Sequence, residues 1–472
     1  MSSISTSNVT SGFIDLATFD EIEKYLYGGP DATAYFVRET RKATWFTQVP
    51  VVLSRAAGSP GFGQEWSVSI SRAGDYMLHT WLRVTFPEVV SSNVNTIRLR
   101  WTRNLMHALI RECSITFNDL IAARFDNYHL DFWSAFTVPE GKRNGYKNMI
   151  GDIDQLTQPS SSLPSATLNL PLPFFYSRDS GVALPTAALP YNEMRINFYF
   201  RDWEQLLIWQ ATDGRGNTDG RKVVGTEQLK GGVPPVLGQT QVWANYAIVS
   251  NDERKRMACA PRDILIEQVQ TAPRQSFTPA TNAQQSFDIR FSHAIKVLFF
   301  AVRNSTFSAE HSNYVTTSPV LVTETAIDPN AKLDFTPDTG ANDPISVTSL
   351  IYENTNRLAQ MGSDYFSLVN PYYHAPVIPV DTGYHSYSYS LDFISLDPMG
   401  STNYGKLTNV SIVPEASARA ILCAQANGGV GGGGDGGVGL ALPFKQVYEF
   451  IVTAVNNNII RVSGGALGFP VL

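Results

Sequence analysis

Two stretches of the chain alternate between hydrophobic and polar positions. In the first, Gln64–Pro87, the side chains of Trp66, Val68 and Ile70 point one way and serines separate them. A turn is predicted at Arg72–Asp75, and the alternation then resumes. The hydrophobic positions beyond the turn are Tyr76, Leu78, Leu82, Val84 and Phe86. A period of two is typical of a strand with one buried face, so this stretch is predicted to form an antiparallel hairpin.

The second stretch, Ser286–Asn304, repeats this pattern in the other half of the chain. Phe287, Ile289 and Phe291 share one face, and a turn is predicted at Ser292–His293. The hydrophobic positions that follow are Ile295, Val297 and Phe299. A second antiparallel hairpin is therefore predicted here.

Two further segments resemble each other across the halves. VWANYAIVSN (Val242–Asn251) is similar to VYEFIVTAVN (Val447–Asn456), and each is apolar on both faces. Each would close its half of the chain with a fully buried strand. Repetition of both patterns predicts two similar β domains in tandem.

A helix is clearly marked near the N-terminus. Thr18 and Glu21 fit a capping box, and Gly28 provides a stop signal. The apolar face of this helix would carry Phe19, Ile22 and Leu26. Such a helix could lie beneath the β domains against another protein, or could pack within its own chain.

Shorter helices are predicted between strands. Their positions are Leu130–Phe136, Asp202–Trp209 and Asp252–Ala258. The last of them is the candidate connector between the two halves. Long loops rich in polar residues, glycine or proline are predicted at Ile153–Ser165, Gly214–Pro235 and Thr323–Pro344, where binding surfaces usually lie.

A glycine run at Gly428–Gly439 contains the pattern G-x-G-x-x-G at Gly429, Gly431 and Gly434. A phosphate-binding loop of that kind needs a helix N-terminus after it, whose free N–H groups hold the anion. Pro443 and an apolar strand pattern follow instead. The run is therefore predicted to be a flexible surface loop, and no cofactor is expected.

Composition narrows the class of protein. The chain has 472 residues, of which 43% are hydrophobic and 11% aromatic, with 35 glycines and 27 prolines. This length and composition suit two or three β-rich domains. A net charge of -6 argues against direct binding to nucleic acid. Three widely spaced cysteines, with no signal peptide or apolar run long enough to span a membrane, favour a reducing compartment.

The residues that could carry chemistry do not form a convincing site. His374 and His385 lack the H-x-H spacing of a metal-binding cupin, so structural roles are predicted for them. Asp152 and Asp154 alternate in a polar segment and are interpreted as solvated loop acids rather than as a glycosidase pair. No catalytic residue, metal or cofactor is predicted. The compact basic patch Glu253–Met257 is expected to be solvated or to contact acidic neighbours.

One family resemblance covers nearly the whole chain. Asn169–Phe200 resembles the first-domain signature of the major capsid proteins of nucleocytoplasmic large DNA viruses. The matching positions are Pro171, Pro173, Phe174, Leu184, Pro185, Leu189, Tyr191, Glu193 and Ile196. The stretch Asp397–Leu407 is similar to a second-domain motif, with matches at Pro398, Gly400 and Asn403.

Departures from that motif point to one branch of the family. Met399 stands where the family usually has serine, and Gly405 and Lys406 stand where it usually has Ser-Arg. The opening Thr10–Gly29 and the ending Gly465–Leu472 resemble the iridovirus proteins closely. The match is weakest in the glycine run and the proline-rich inserts.

The resemblance implies an all-β fold of two tandem eight-stranded antiparallel jelly rolls (a double jelly roll) with short helices and long loops. The expected division is an N-terminal arm with a short helix at residues 1–40, a first jelly roll at 41–256 and a second at 257–472. Three chains would form a capsomer of an icosahedral virus shell over an internal membrane. Expected partners are neighbouring capsomers, minor capsid and penton proteins, with indirect membrane contact and no direct nucleic acid, and assembly in the host cytoplasm.

Another class of function fits part of the sequence. The aromatic-rich stretch Asn370–Ser390 could stack on sugars, as in a lectin-like β-sandwich. That alternative requires Tyr372, Tyr373 or Tyr387 to be exposed, and it predicts a monomer or dimer that binds glycans.

Overall fold

The computed structural model describes residues 2–211, 224–317, 342–425 and 445–469. It divides into an N-terminal arm, Met1–Trp45, and a body, Phe46–Leu472. The predicted glycine loop Gly428–Gly439 lies outside the described residues, as do parts of the predicted loops Gly214–Pro235 and Thr323–Pro344.

The arm contains two helices, α1 (Ser2–Ala17) and α2 (Glu21–Leu26). The predicted cap is wrong by two residues. The Thr18 hydroxyl donates to the carbonyl of Asp15 at the end of α1, so it does not cap the next helix. Asp20 is the N-cap instead: its carboxylate accepts the N–H of Glu21 at 2.7 Å, and the carboxylate of Glu23 accepts the N–H of Asp20. The predicted apolar face of α2 is exposed to solvent.

Eight strands build two sheets in the first half of the body. They are β1 (Phe46–Val52), β2 (Glu65–Ser69), β3 (Tyr76–Phe86), β4 (Ile110–Phe117), β5 (Leu120–Phe125), β6 (Ala166–Pro171), β7 (Met194–Phe200) and β8 (Thr240–Val249). One sheet has the order β1-β8-β3-β6 and the other the order β2-β7-β4-β5, with all pairs antiparallel. Apolar side chains of both sheets share one core.

The second half repeats this arrangement. Its strands are β9 (Arg262–Thr271), β10 (Phe287–Asp288), β11 (Ala294–Asn304), β12 (Ile345–Tyr352), β13 (Thr355–Gly362), β14 (His385–Ser388), β15 (Val410–Ala416) and β16 (Tyr448–Ser463). The sheet orders are β9-β16-β11-β14 and β10-β15-β12-β13, so each strand number is the first-half number plus eight. Two antiparallel sheets with this order form a jelly roll. The prediction of two tandem eight-stranded jelly rolls is confirmed.

Helices and short strands decorate the two rolls. The helices of the body are α3 (Leu105–Leu109), α4 (Asn127–Thr137), α5 (Glu140–Ile150), α6 (Asp154–Thr157), α7 (Asn251–Cys259), α8 (Asn370–His374) and α9 (Ala418–Gln425). The additional strands are Ser54–Gly58, Val89–Val90, Ile97–Trp101, Ser162–Leu163, Leu207–Ala211, Gln275–Phe277, Thr402–Asn403 and Ala466–Gly468. None of the helices among the described residues has both the length and the apolar character needed to cross a membrane.

Two of the three predicted short helices are confirmed. Leu130–Phe136 lies within α4, and Asp252–Ala258 lies within α7, which connects β8 of the first roll to β9 of the second. The third, Asp202–Trp209, is wrong. After a single 3-10 turn the chain enters the strand Leu207–Ala211, because its backbone pairs with Ile97–Trp101.

Both predicted hairpins are wrong in their pairing, although most of the hydrophobic positions predicted in them are buried. The strands β2 and β3 belong to opposite sheets of the first roll, and β10 and β11 belong to opposite sheets of the second. The intervening turns therefore carry the chain from one sheet to the other. The core face of β2 is as predicted, with Trp66 and Val68 buried.

A β-bulge explains why two residues that were predicted to face the core in β3 do not do so. His79 pairs with Asn245 and Met77 pairs with Tyr246, so Leu78 has no partner on β8. The extra residue shifts the alternation by one position. Met77, rather than the predicted Tyr76 and Leu78, is therefore fully buried at this end of the strand.

The strand β11 is buried on both faces, unlike an ordinary strand of a two-sheet sandwich. One face points into the core of the second roll and carries Ile295, Leu298, Phe300 and Val302. The other face carries Val297, Phe299 and Ala301 and belongs to a separate apolar cluster. That cluster is where the two rolls meet.

Candidate functional site at the joint between the rolls

The helix α4 of the first roll covers the outer face of a sheet of the second roll. Tyr128, Phe132 and Phe136 are spaced four residues apart, which places them on one side of the helix. The ring of Phe136 stacks on Phe299 of β11 with 5.3 Å between ring centroids, and Phe132 stacks on the same ring at 5.9 Å. Asp126 starts the helix by accepting the N–H of His129. We call this region the joint.

A buried carboxylate of α4 connects groups from both rolls. Asp131 accepts from Nδ1 of His107 at 2.8 Å in the first roll. It also accepts from the hydroxyls of Ser312 and Tyr314 in the second roll, each at 2.8 Å. Burial, with the Asp131 charge next to it, raises the pKa of Tyr314, so the phenol stays protonated and donates. Charge-assisted bonds of this kind are among the strong ones in proteins.

A second buried cluster of charges lies on the other side of the joint. The carboxylate of Glu267 on β9 binds both Arg178 of the first roll and Lys296 of β11. Lys296 also donates to the carbonyl of Ser395 at 2.7 Å. The guanidinium of Arg178 lies 4.0 Å from the ring centroid of Trp133 on α4, a cation–π contact. The position of α4 is thus fixed by apolar packing and by charge.

Further ion pairs cross between the rolls. Arg100 and Glu310 form a fully buried pair. Arg103 binds Asp152 at 3.2 Å and Asp381 of the second roll at 3.4 Å. The prediction that Asp152 is a solvated loop acid is therefore wrong. Burial opposes its ionisation, but Arg103 outweighs burial and holds the pKa of Asp152 below its usual value.

The other acidic and basic predictions agree better with the structure. Asp154 is exposed at the start of α6. In the basic patch Glu253–Met257, Arg254 contacts an acidic neighbour, since its guanidinium binds both carboxylate oxygens of Asp75, at 2.7 and 3.0 Å. Asp75 has a pKa that stays below its usual value, because Arg254 and the N–H of Val249 outweigh the effect of burial.

The two histidines considered for metal binding have structural partners. His385 is buried, its Nε2 lies 2.8 Å from Oδ2 of Asp343, and its ring stacks on Phe300 at 5.1 Å. His374 uses Nδ1 to bind the carbonyl of Leu391 at 3.0 Å. Within the part of the chain that the structure describes, no cluster of three or more histidine, cysteine or acidic side chains could hold a metal ion.

Comparison with known proteins identifies the family. The model described as "Major capsid protein N-terminus" matches residues 34–249, and the model described as "Large eukaryotic DNA virus major capsid protein" matches residues 253–468. The chain is 65% identical to the major capsid protein of Costelytra zealandica iridescent virus, over 100% of both chains. The chain belongs to the major capsid proteins of large eukaryotic DNA viruses.

The iridovirus branch expected from the two ends of the chain is confirmed for this capsid protein. It is 64% identical to the major capsid protein of Invertebrate iridescent virus 6 over 100% of both chains. It is 43% identical to that of Frog virus 3 (isolate Goorha), again over 100% of both chains.

Solved structures show the same fold. The capsid protein superimposes on a chain of the PBCV-1 virus capsid with a TM-score of 0.72, at 20% identity, over 93% of this chain and 100% of the other. The Faustovirus major capsid protein gives a TM-score of 0.63 at 12% identity, over 94% and 95% of the two chains. These are double jelly rolls, in agreement with the strand order described above.

The first-domain motif of the capsid protein lies between β6 and β7 and packs inside the first roll. Phe174 is buried against Phe125, with 5.1 Å between the rings. Leu184 is buried and exchanges two backbone hydrogen bonds with Met77 of β3. Pro171 ends β6. The remaining motif residues with an internal position are Pro173, which is half-buried, and Pro185, Leu189 and Ile196, which are buried.

Three residues of this motif, Pro171, Tyr191 and Glu193, lie at the surface instead. Tyr191 is 77% exposed, yet its ring is against Gly465 of the second half, where an added Cβ would lie 2.8 Å from the ring. The N–H of Glu193 donates to the side-chain oxygen of Asn118 at 2.7 Å, its carbonyl accepts the N–H of Asn118 at 2.9 Å, and its carboxylate pairs with Arg195 at 2.5 Å.

The second-domain motif shapes a turn beside β11. Gly400 has a φ of +117°, and a Cβ there would lie 2.8 Å from the carbonyl oxygen of Tyr389. Only glycine suits that combination. Asn403 accepts the N–H of Gly405 at 2.9 Å, and its backbone pairs with Ala294. Pro398 is exposed.

Sequence reasoning missed the charged residues of the joint. Asp131 interrupts the apolar pattern LDFWSAF, Glu267 interrupts ILIEQV and Lys296 interrupts AIKVLFF. A charge inside an otherwise apolar element is the available signal, since such groups are buried only when paired. The sequence pattern does not show which residue each of these charges pairs with.

Proposed function

We propose that three copies of the chain form a pseudo-hexagonal homotrimeric capsomer, and that such capsomers tile an icosahedral shell over an internal membrane. The observation that carries this proposal is the strand order, which occurs twice in one chain. Three chains then supply six similar units around one axis. A closed three-fold ring uses heterologous contacts, in which each chain donates one surface and receives with another.

The joint supports this proposal because a tile needs its two halves in a fixed relation. Asp131 and Glu267 are buried and are bonded from both rolls. Separating the rolls would break the bonds of Asp131 to Ser312 and Tyr314 and the ion pair of Glu267 with Arg178, and breaking buried charged contacts of this kind costs on the order of several kcal/mol. Each chain would therefore enter the ring with its rolls already locked together.

The N-terminal arm and the loops are proposed to contact other proteins. Phe13, Leu16 and Phe36 are exposed at 67%, 74% and 102%, which suits a segment that is covered only on assembly. We propose that the arm (residues 1–40) contacts minor capsid proteins and, through them, the membrane, and that the two rolls span residues 41–256 and 257–472. The range Ile153–Ser165, predicted as a loop, contains α6 and the strand Ser162–Leu163, and its exposed residues Asp154 and Gln155 are proposed to contact a neighbouring capsomer or a penton protein. Assembly in the host cytoplasm, without direct nucleic acid contact or enzymatic activity, completes the proposal.

The carbohydrate-binding alternative loses part of its basis. Tyr387 is buried, so the prediction of an exposed sugar-stacking ring there is wrong. Tyr372 and Tyr373 are exposed.

Light scattering after size exclusion tests the proposal. A trimer has three times the chain mass of 52.0 kDa, or about 156 kDa. Electron microscopy of the same fraction is expected to show six-lobed rings with three-fold symmetry. A stable monomer with measurable glycan affinity would contradict the proposal.

A further inference from the structure

An open apolar groove lies on the outer face of the first roll. It has a volume of about 1120 Å³ and runs between the sheet β1-β8-β3-β6 and the helices α4 and α5. The residues that define it here are Trp81, Tyr146, Met149, Pro171 and Pro173. Trp81 points away from the core and stacks on Trp243 of β8 with 6.2 Å between ring centroids. We call this feature the first-roll groove.

The equivalent face of the second roll is filled. There the outer face of the sheet β9-β16-β11-β14 carries Val297, Phe299 and Val455, and α4 of the first roll covers them. The two sheets have the same strand order, so the groove on the first roll is the position that α4 occupies on the second. In the first roll, α4 and α5 border this position but leave it open as the groove.

The chain carries a helical segment that corresponds to α4. The helix α4 lies between the fifth and sixth strands of its roll, β5 and β6. Between the fifth and sixth strands of the second roll, β13 and β14, lie a π-helical turn (Tyr365–Val369) and α8. We call these ten residues the second-roll helical segment.

The second-roll helical segment presents an apolar face to solvent. Phe366 anchors it in the core of its own roll. Leu368 and Tyr372, four residues apart, are 51% and 69% exposed, and Val369 and Tyr373 beside them are also exposed. Its sequence, YFSLVNPYYH, has no acidic residue, lysine or arginine, so burying this face would leave no such charge without a partner.

We propose that the second-roll helical segment of one copy docks in the first-roll groove of the next copy around the ring. This inference rests on the proposed trimer and names the surfaces that close it. Each chain would donate one segment and receive one, as a heterologous ring requires. The contact between copies would then reproduce the contact between rolls, with Leu368 and Tyr372 in the place that Phe132 and Phe136 take at the joint. The ring would alternate between these two kinds of contact.

A charge-substitution experiment tests the donor surface. In the double variant Leu368→Asp, Tyr372→Asp, both side chains are exposed in the single chain, so folding should be unaffected, and circular dichroism verifies it. We expect the mass to fall about threefold, from trimer to monomer. The matched control is Leu422→Asp on α9, a leucine with 68% exposure outside the proposed contact, which should remain trimeric. A folded double variant that stays trimeric overturns the inference.

A cross-linking experiment tests both surfaces at once. Cys259 is an exposed free thiol and is first replaced by serine, whereas Cys113 and Cys423 are buried. In that background, Tyr372→Cys combined with Met149→Cys should give covalent dimers and trimers with a short bismaleimide. Either substitution alone should give only monomers on a denaturing gel. If wild-type protein is trimeric but the pair does not cross-link and the charged variant stays trimeric, the docking is wrong while the trimer stands. If wild-type protein is monomeric, the proposed function itself fails.

Discussion

The carboxylate of Asp131 in the first roll accepts a 2.8 Å hydrogen bond from the hydroxyl of Tyr314 in the second roll. The same carboxylate holds His107 of its own roll. A single buried charge is thus satisfied only when both rolls are folded and in contact. The two halves of this capsid protein are therefore coupled energetically, although each has the strand order of a complete jelly roll.

Replacing Asp131 with alanine should weaken this coupling. The change leaves His107, Ser312 and Tyr314 without their shared acceptor in a buried site. We expect a loss of about 3–5 kcal/mol in the free energy of unfolding, the usual result of breaking a buried charged network. Urea-induced unfolding at pH 7 measures it. The control is Asp397→Ala, an exposed acid, which should change stability by no more than about 0.5 kcal/mol. Equal unfolding midpoints for the two variants would show that Asp131 is not needed.

Removing the carboxylate of Glu267 alone should destabilise the protein more than removing Glu267 and Lys296 together. Glu267→Met leaves Lys296 buried without its counter-charge, and we expect a loss of about 3–5 kcal/mol. The double variant Glu267→Met, Lys296→Met replaces the pair by apolar side chains and should recover much of that loss. Thermal unfolding of the two variants and of Lys296→Met gives the comparison. A double variant no more stable than Glu267→Met would contradict this account of the cluster.

Stability should fall in acid because of buried histidines. Burial, with Arg178 nearby, lowers the pKa of His129 to about 3, and burial also lowers the pKa of His311. In the unfolded chain each of these histidines is protonated near pH 6.5, whereas in the folded chain it is protonated only at lower pH. The contribution of these two histidines to stability is therefore fully present above pH 6.5 and is lost as the pH falls towards 3, by at most about 1.4 kcal/mol per pH unit for each histidine.

The variant His129→Phe tests this pH dependence. Phenylalanine can keep the packing against Trp133 and Phe125 but cannot bind a proton. We expect the slope of stability against pH to decrease between pH 6 and 4, and to remain the same as in wild type between pH 7 and 8. His311 retains its own contribution, so part of the slope should persist. An unchanged slope in acid would mean that His129 is protonated in the folded protein.

The glycine of the second-domain motif should not tolerate a side chain. In Gly400→Ala the Cβ would lie 2.8 Å from the Tyr389 carbonyl oxygen, at a φ that alanine rarely adopts. We expect a loss of about 1–3 kcal/mol, measured by thermal unfolding. Gly468→Ala is the control, since a Cβ there meets nothing within 4 Å. Comparable melting temperatures for the two variants would leave the motif glycine unexplained.

The sequence predicted which strand faces are buried better than it predicted which strands pair with each other. Period-two alternation placed Trp66, Val68 and Phe287 in the cores correctly, because alternation reports burial directly. It misassigned both hairpins, because hydrogen-bond partners are chosen by the whole sheet. The bulge at Leu78 could not be predicted either, since the extra residue is defined only against β8.

The joint was less predictable for the same physical reason. The apolar face of α4 is visible in its own sequence, and Val447–Asn456 was recognised as apolar on both faces. The bond between Asp131 and Tyr314, however, joins positions 183 residues apart in the chain. No local pattern encodes such a distance.

The position of α4 also has a consequence for biosynthesis. A ribosome releases the first roll before the second, so the helix that must shield Phe299 leaves the exit tunnel before the strand that carries it. When the apolar outer face of the sheet that contains β11 is synthesised, the helix α4 that covers it is therefore already available. Reversing the order of the halves in an engineered gene would remove that advantage, and the nascent chain would expose this surface for as long as translation of the other half takes.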